Sequence, residues 1–400
     1  MAEMWIANRP TGALDGRVFE VLNPATEEVI DEAPRAGSAD VDRAVAAAKG
    51  AFPEWRRTPG IERAEKLHHV ARRIRDDREG LAVLLTKEGG KPLPENRDEI
   101  EWIAACFDYY AEIGRDVVGR VISPVARNQF NFVVKEPYGV CGLIVPWNYP
   151  LLLLTWKLAP ALAAGNAVVA KPSEHTPLST LRLMRAFEDL PEGVVNVVTG
   201  YGPEAGMSLV QNREVEVVAF TGSQATGRKV AVACAEQLKK CHLELGGNDP
   251  FIVDEGVDLD VAAKGAAWAC FLNMGQVCTS AERFYVVGKV FDEFVDTMNG
   301  SLPPSSRWHF LSCWAQVAAT RRPVAWLPVK ATTSTSRLAT RGAPASSPKP
   351  VTMLRAPSGK SSKARMSRRV ESGVHSLGLA TTVLPAARAG ASIQDRSRSG

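Results

Sequence analysis

The chain predicts an α/β protein with a parallel sheet and crossover helices, because short β-branched runs alternate with stretches of helix length. The runs are Val140 to Val145, Ala167 to Ala170, Val194 to Val198, Val215 to Phe220 and Phe251 to Val253, separated by segments such as Pro177 to Leu190 and Ala225 to Lys239. Ahead of them, Val41, Val45, Ala48 and Phe52 recur at helical spacing, and Leu67, Val70, Ala71 and Ile74 repeat the pattern after Pro59. Between Asp116 and Pro137 the pattern becomes alternating around a polar turn, in Val117 to Ser123 and Phe130 to Lys135, which predicts an antiparallel hairpin. The most apolar stretch, Tyr149 to Ala170, contains Pro150, Lys157 and Pro160 and is broken at Gly165 and Asn166. It reads as a buried helix running into a strand rather than a membrane span.

At 400 residues and 45% hydrophobic content, two or three domains with sizeable cores are expected. The seven cysteines, Cys106, Cys141, Cys234, Cys241, Cys270, Cys278 and Cys313, are odd in number and form no CxxC pair. Neither a zinc ribbon nor a disulfide framework is suggested, no metal is expected, and a reduced, cytoplasmic setting fits. The N-terminus lacks a basic start followed by an apolar core, so it does not read as a secretory signal.

A net charge of +4 hides a division near Gly300. Residues 301–400 hold 16 Lys and Arg against only Glu371 and Asp395, whereas the preceding residues hold 32 Lys and Arg against 42 Asp and Glu. The basic tail is rich in Ser, Arg, Pro and Ala, with Phe310 its one phenylalanine, a composition poor at forming a core and expected to be mostly irregular. A nucleic-acid-binding extension would want aromatic interleaving or a recognisable module, and neither is present. A natural disordered tail is an alternative; a shift of reading frame near Met298 to Ser301 is the preferred reading.

Cys278 lies a short way downstream of Glu244. A cysteine that attacks carbonyl carbon needs thiolate character, a group to move protons, and donors for the oxyanion. Glu244 offers the base, and Asn148, in a loop stiffened by Pro146 and Pro150, offers an amide. Taken singly, Cys278 reads as a small buried hydrophobe, Glu244 as a solvated carboxylate and Asn148 as a turn residue. Their joint pattern reverses that reading.

The segments Pro146 to Pro150, Lys171 to Glu174, Phe220 to Ser223 with Gly227, Glu244 to Gly247, and Asn273 to Cys278 follow one another in an order that resembles the aldehyde dehydrogenase superfamily. The resemblance covers roughly the first three quarters of the chain. It implies a discontinuous NAD-binding domain over 1–115 and 138–243, an oligomerisation hairpin over 116–137, and a truncated catalytic domain over 244–300. Beyond about residue 300 it fails, and the family's Glu-x-Phe-Gly-Pro segment is not recognisable. By resemblance, Cys278 is the nucleophile, Asn148 an oxyanion donor and Glu244 the general base. Pro146, Trp147, Lys171, Ser173, Glu174, Gly202, Gly222, Ser223, Gly227, Leu245 and Gly246 face the cofactor. Lys171 and Glu174 are implied at the adenine-side ribose, where a carboxylate repels a 2′-phosphate, so NAD is favoured over NADP. Gly200 to Gly206 is one residue longer than the GxGxxG fingerprint, which leaves Gly202 a weak candidate. Tyr149 and Trp156 are expected at the substrate entrance, where aromatic faces attract ammonium groups. They resemble the pair in betaine-aldehyde and amino-aldehyde dehydrogenases. A small-molecule aldehyde and a homo-oligomer, dimer or tetramer, are the expected partners, with no nucleic acid and no membrane. The competing reading is a catalytically inactive remnant that retains dinucleotide binding at most.

Overall fold

The computed structural model describes residues 1–301 and 352–356. The chain opens with β1 (Met4–Ile6) and β2 (Arg9–Thr11), joined through Ala7 and Asn8, both at positive φ, as a two-residue hairpin requires. A ribbon of β3 (Val18–Leu22) and β4 (Val29–Pro34) follows, then α1 (Ser38–Trp55), α2 (Gly60–Asp76), α3 (Arg78–Gly89) and α4 (Leu93–Arg115). The expected hairpin is present as β5 (Arg120–Ile122) and β6 (Asn131–Val133), with Val121 opposite Phe132. Both of those side chains are exposed, Phe132 by 61%.

The central unit runs β7 (Val140–Ile144), α5 (Pro150–Ala163), β8 (Ala167–Lys171), α6 (Leu178–Leu183), β9 (Val195–Val197), α7 (Met207–Gln211), β10 (Val215–Gly222), α8 (Gln224–Ala235) and β11 (Lys240–Leu245). Its sheet has the order β11-β10-β7-β8-β9-β1-β2, with the first five strands parallel and β1 and β2 antiparallel at the far edge. Strand alternation feeds two cores. Cys141, Leu143, Val168, Ala170, Val217 and Ala219 pack into one, and Val140, Ile144, Ala167, Val169, Val218 and Phe220 into the other. A sheet buried on both faces needs apolar residues at both parities, which is why these strands read as continuous runs.

Two helical segments are shorter than expected. The stretch from Pro177 forms α6 and then a 3₁₀ turn, Met184–Phe187, and α8 stops at Ala235, after which Leu238 takes φ 54°. Strand β11 was not apparent in the sequence because its residues are largely polar and lie on a sheet edge, mostly exposed.

A smaller parallel sheet contains β12 (Asp249–Val253), β13 (Ala281–Val287) and β14 (Thr352–Ala356), in that order, with α9 (Leu259–Phe271) and α10 (Phe291–Ser301) packed around Phe284, Phe294 and Met298. Strand β14 corrects the expectation of an irregular tail at those five residues: backbone pairing from Arg283↔Thr352 to Val287↔Ala356 needs no apolar composition. The rest of that expectation, and the frame-shift reading, concern residues outside those described. Around Ala266 to Leu272 one helix face is buried, with Ala266 and Cys270 in the core, while Trp268 is 65% exposed.

Helices α2 and α4 are clipped by His68, whose Nδ1 lies 2.6 Å from Asp108 Oδ1 and whose Nε2 lies 2.7 Å from Glu112 Oε1. Hydrogen bonds to Glu112 and Asp108 hold the imidazole above its ordinary value of 6.5. With a folded value raised above the unfolded one, this stabilisation is complete below pH 6.5 and is lost as pH rises through the raised value. Urea denaturation across pH 6 to 9 should therefore show a falling component that is absent in His68→Gln. Identical pH profiles for the two proteins would remove the clip from the stability of this helix pair.

Candidate active site

The parallel strands place one motif segment each at a single edge of the sheet. The chain steps from β7 to β8 to β9 in one direction, then returns to put β10 and β11 on the other side of β7. The order therefore reverses between β7 and β10, and ligands of open α/β sheets bind outside the carboxyl ends at such a point. Pro146 to Pro150 follows β7, Lys171 to Glu174 ends β8, Gly200 to Gly206 follows β9, Gly222 and Ser223 end β10, and Glu244 to Gly247 ends β11. The registers Phe220↔Ile144, Ile144↔Lys171 and Thr221↔Glu244 keep these ends level.

On the β8 side, the Lys171 ammonium is buried and donates to Pro172 O at 2.6 Å and Gly200 O at 2.8 Å, with Glu174 Oε2 at 3.8 Å. Burial pulls its pKa down to about 8, opposed by the Glu174 carboxylate. Ser173 is buried, and its Oγ accepts from His175 N at 3.3 Å. Gly202 opens a π-helical turn, Gly202–Gly206, and faces open space, so nothing in its surroundings demands glycine.

Beside the switch point, Pro146 and Trp147 are half-buried. Ser223 is the N-cap of α8, its Oγ accepting from Thr226 N at 3.2 Å. The first turn of that helix presents backbone N–H groups and the positive dipole end toward the crevice, a setting suited to a pyrophosphate. Gly227 lets α8 lie close to β11, since a Cβ there would sit 2.5 Å from Leu245 Cδ2, and Gly222 is crowded by the Phe220 ring. Gly246 O accepts from Gln224 Nε2 at 3.5 Å.

After α9 the backbone enters the left-handed region at three successive residues, Asn273 (φ 46°), Met274 (φ 57°) and Gly275 (φ 77°). Only the last is glycine, so the first two carry conformational strain. Asn273 Nδ2 donates to Asn148 O at 3.0 Å, and Asn148 Nδ2 donates to Gln276 O at 2.8 Å. Asn273 N donates to Glu95 Oε2 at 2.9 Å. Cys278, half-buried, sits in the turn closed by Ser280 N donating to Val277 O at 3.1 Å. A Cβ on Gly247 would lie 2.9 Å from Cys278 O, so the segment that follows Glu244 runs directly against the cysteine backbone. Burial lowers the pKa of Lys157, and its electrostatic interactions with Glu244 and Cys278 oppose that fall. Asn148, Cys278 and Glu244 thus share one neighbourhood.

Tyr149 and Trp156 differ in setting. Trp156 is 51% exposed, whereas Tyr149 is 6% exposed and its ring already carries the Lys91 ammonium at 3.8 Å. Burial, together with the charges of Glu95 and Glu99, drives the Tyr149 phenol well above its ordinary pKa.

Sequence reasoning missed Glu95, Lys91 and Lys157 and assigned no role to Asn273 and Gln276. The last two lie within the segment Asn273 to Cys278. Glu95 had no local signal, because its partner Asn273 is 178 residues away.

These features define an open α/β protein whose ligand crevice, at the sheet's switch point, adjoins a thiol tied to a neighbouring amide loop. Residues 12–302 match the model of the aldehyde dehydrogenase family, and the chain belongs to that family. It is 44% identical over 293 residues to betaine aldehyde dehydrogenase 1 of Oryza sativa subsp. japonica, covering 71% of this chain and 58% of that protein. Aminoaldehyde dehydrogenase 2 of Zea mays is 44% identical over 294 residues, with the same coverage. The structure of an aldehyde dehydrogenase from Bacillus cereus in complex with NAD+ superposes with a TM-score of 0.73 at 38% identity, covering 75% of this chain and 62% of that one. An Escherichia coli NADP-dependent enzyme gives 0.74 at 38% identity, covering 75% and 63%. The chain thus spans less than two thirds of the length of these relatives.

Replacing the N-cap, Ser223→Ala, should lower stability by about 1 kcal/mol, as loss of a capping hydroxyl typically does. Urea unfolding followed by circular dichroism reads this directly, and an unchanged midpoint would deny Ser223 its capping role.

Proposed function

We propose that the chain belongs to an NAD-dependent oxidoreductase that converts an aldehyde to a carboxylic acid through a covalent adduct on Cys278. The observation that carries the reading is the reciprocal pairing of Asn148 with Asn273 and Gln276, which ties the loop after β7 to the loop bearing the cysteine. NAD fits the residues present: Ser223 and the first turn of α8 would meet the pyrophosphate, and Lys171 and Glu174 the adenine-side ribose. Pro146, Trp147, Gly222, Leu245 and Gly246 would line the same crevice. Bound NAD supplies a hydride acceptor.

The Cys278 thiolate attacks the aldehyde carbon to give a thiohemiacetal. Asn148 spends one amide hydrogen on Gln276 O and has a second for the oxyanion, alongside the Cys278 backbone N–H. After hydride departure, Glu244 takes a proton from the water that hydrolyses the thioester. Glu244 is exposed on β11, which gives it access to water. Relatives named for betaine aldehyde and aminoaldehydes, and the exposed ring of Trp156, favour an aldehyde carrying an ammonium group; the Tyr149 face is already taken by Lys91. The exposed strands β5 and β6 favour assembly as a homo-oligomer.

A second reading is a dinucleotide-binding chain without turnover. It is favoured by the family match stopping at residue 302, with the following residues of different composition. NADH formation by the purified protein with betaine aldehyde and aminoaldehydes separates the two readings.

Cys278→Ala should abolish turnover while leaving NAD affinity nearly unchanged, measured by fluorescence titration. Turnover retained in that variant removes Cys278 from the mechanism. Glu244→Gln should preserve a burst of NADH and depress the steady state, because deacylation follows hydride transfer. Burst and steady state falling together would instead make Glu244 the group that activates the thiol.

A further inference from the structure

We infer that Glu95 is a positioning residue: it holds the strained loop Asn273 to Gly275 so that Cys278 stays in register with Asn148. The inference deepens the reading of Cys278 as nucleophile and rests on it. Two non-glycine residues in succession at φ 46° and 57° persist only where their surroundings dictate that backbone. At Asn273 the constraints come from two directions. Its side chain donates to Asn148 O at 3.0 Å, and its backbone N–H donates to Glu95 Oε2 at 2.9 Å. The second bond fixes the peptide unit itself, immediately before the left-handed turn.

Glu95 is in turn well placed to act as an anchor. It occupies the first turn of α4, and Glu99, one turn further on the same face, is fully buried. Glu99 accepts from Leu152 N at 2.9 Å in the first turn of α5 and pairs with the buried Lys91 ammonium, which lies over the Tyr149 ring. One face of α4 therefore grips both the start of α5, directly after Asn148, and the loop that carries Cys278. Movement of either relative to the other breaks a bond to α4. Strands β8 to β12 lie between the two loops along the chain, so α4 supplies a fixed distance that the loops cannot set locally.

A carboxylate near a thiol can also act through its charge, and the two roles are separable by substitution. Glu95→Gln removes the charge and keeps an oxygen at the same reach, whereas Glu95→Asp keeps the charge and withdraws the oxygen by one methylene. The test is amide hydrogen exchange on the full chain, read by mass spectrometry in the peptide spanning residues 271–280. Glu95→Gln should retain wild-type protection, and Glu95→Asp should exchange about tenfold faster there, with peptides from β8 and α8 unchanged in both. Met274→Gly in the Asp background should recover protection, since glycine accepts φ 57° without strain and the Met274 side chain is exposed. Wild-type exchange in both variants overturns the inference, as does protection kept by Asp and lost by Gln. Exchange does not depend on turnover, so turnover retained by Cys278→Ala would sink the nucleophile reading and leave this comparison intact.

Discussion

Everything at the site depends on one reciprocal pair of hydrogen bonds, Asn148 Nδ2 to Gln276 O and Asn273 Nδ2 to Asn148 O. Each is worth only about 0.5–1.5 kcal/mol net. Their importance is geometric. They lock the loop leaving β7 to the loop leaving α9, and so bring an amide from the large sheet beside a cysteine from the smaller lobe. The left-handed residues Asn273 and Met274 are the local cost of bending the chain back to make that contact.

The large sheet makes such a meeting place possible. Apolar residues at both parities bury both of its faces, leaving the carboxyl ends of the strands as the edge where loops gather. At the order reversal between β7 and β10, the loops carrying Asn148 and Ser223 leave the ends of neighbouring parallel strands, the usual ligand position in such sheets. Helix α8 adds its N-terminus, and the closeness of Gly227 to Leu245 keeps that helix pressed on β11, which carries Glu244 in register with Thr221. Thus the cofactor-side features and the catalytic candidates are set by one topology.

Much of this was legible in the sequence. Buried strands such as Ala167 to Lys171 announce themselves by unbroken β-branched runs, and the hairpin at Val121 and Phe132 by alternation. The segments around Asn148, Lys171, Ser223, Glu244 and Cys278 were ambiguous one by one and became recognisable through their order along the chain. Strand β11 was not, since an edge strand that is mostly exposed has no apolar pattern to display. Strand β14 was hidden because its pairing is carried by backbone groups within a segment of unpromising composition. The burial of Tyr149 beneath Lys91 and the grip of Glu95 on Asn273 were invisible because both join residues far apart in the chain. Long-range polar contacts leave no periodic trace.

The central claim is that Cys278 forms the covalent bond to substrate. Its most direct measurement is peptide mapping after an acid quench of the protein mixed with NAD and an aminoaldehyde. The expected result is an acyl group on the peptide containing Cys278, present only when NAD is included. NADH formation with that peptide unmodified throughout, and the acyl group on another cysteine such as Cys106 or Cys241, would contradict it.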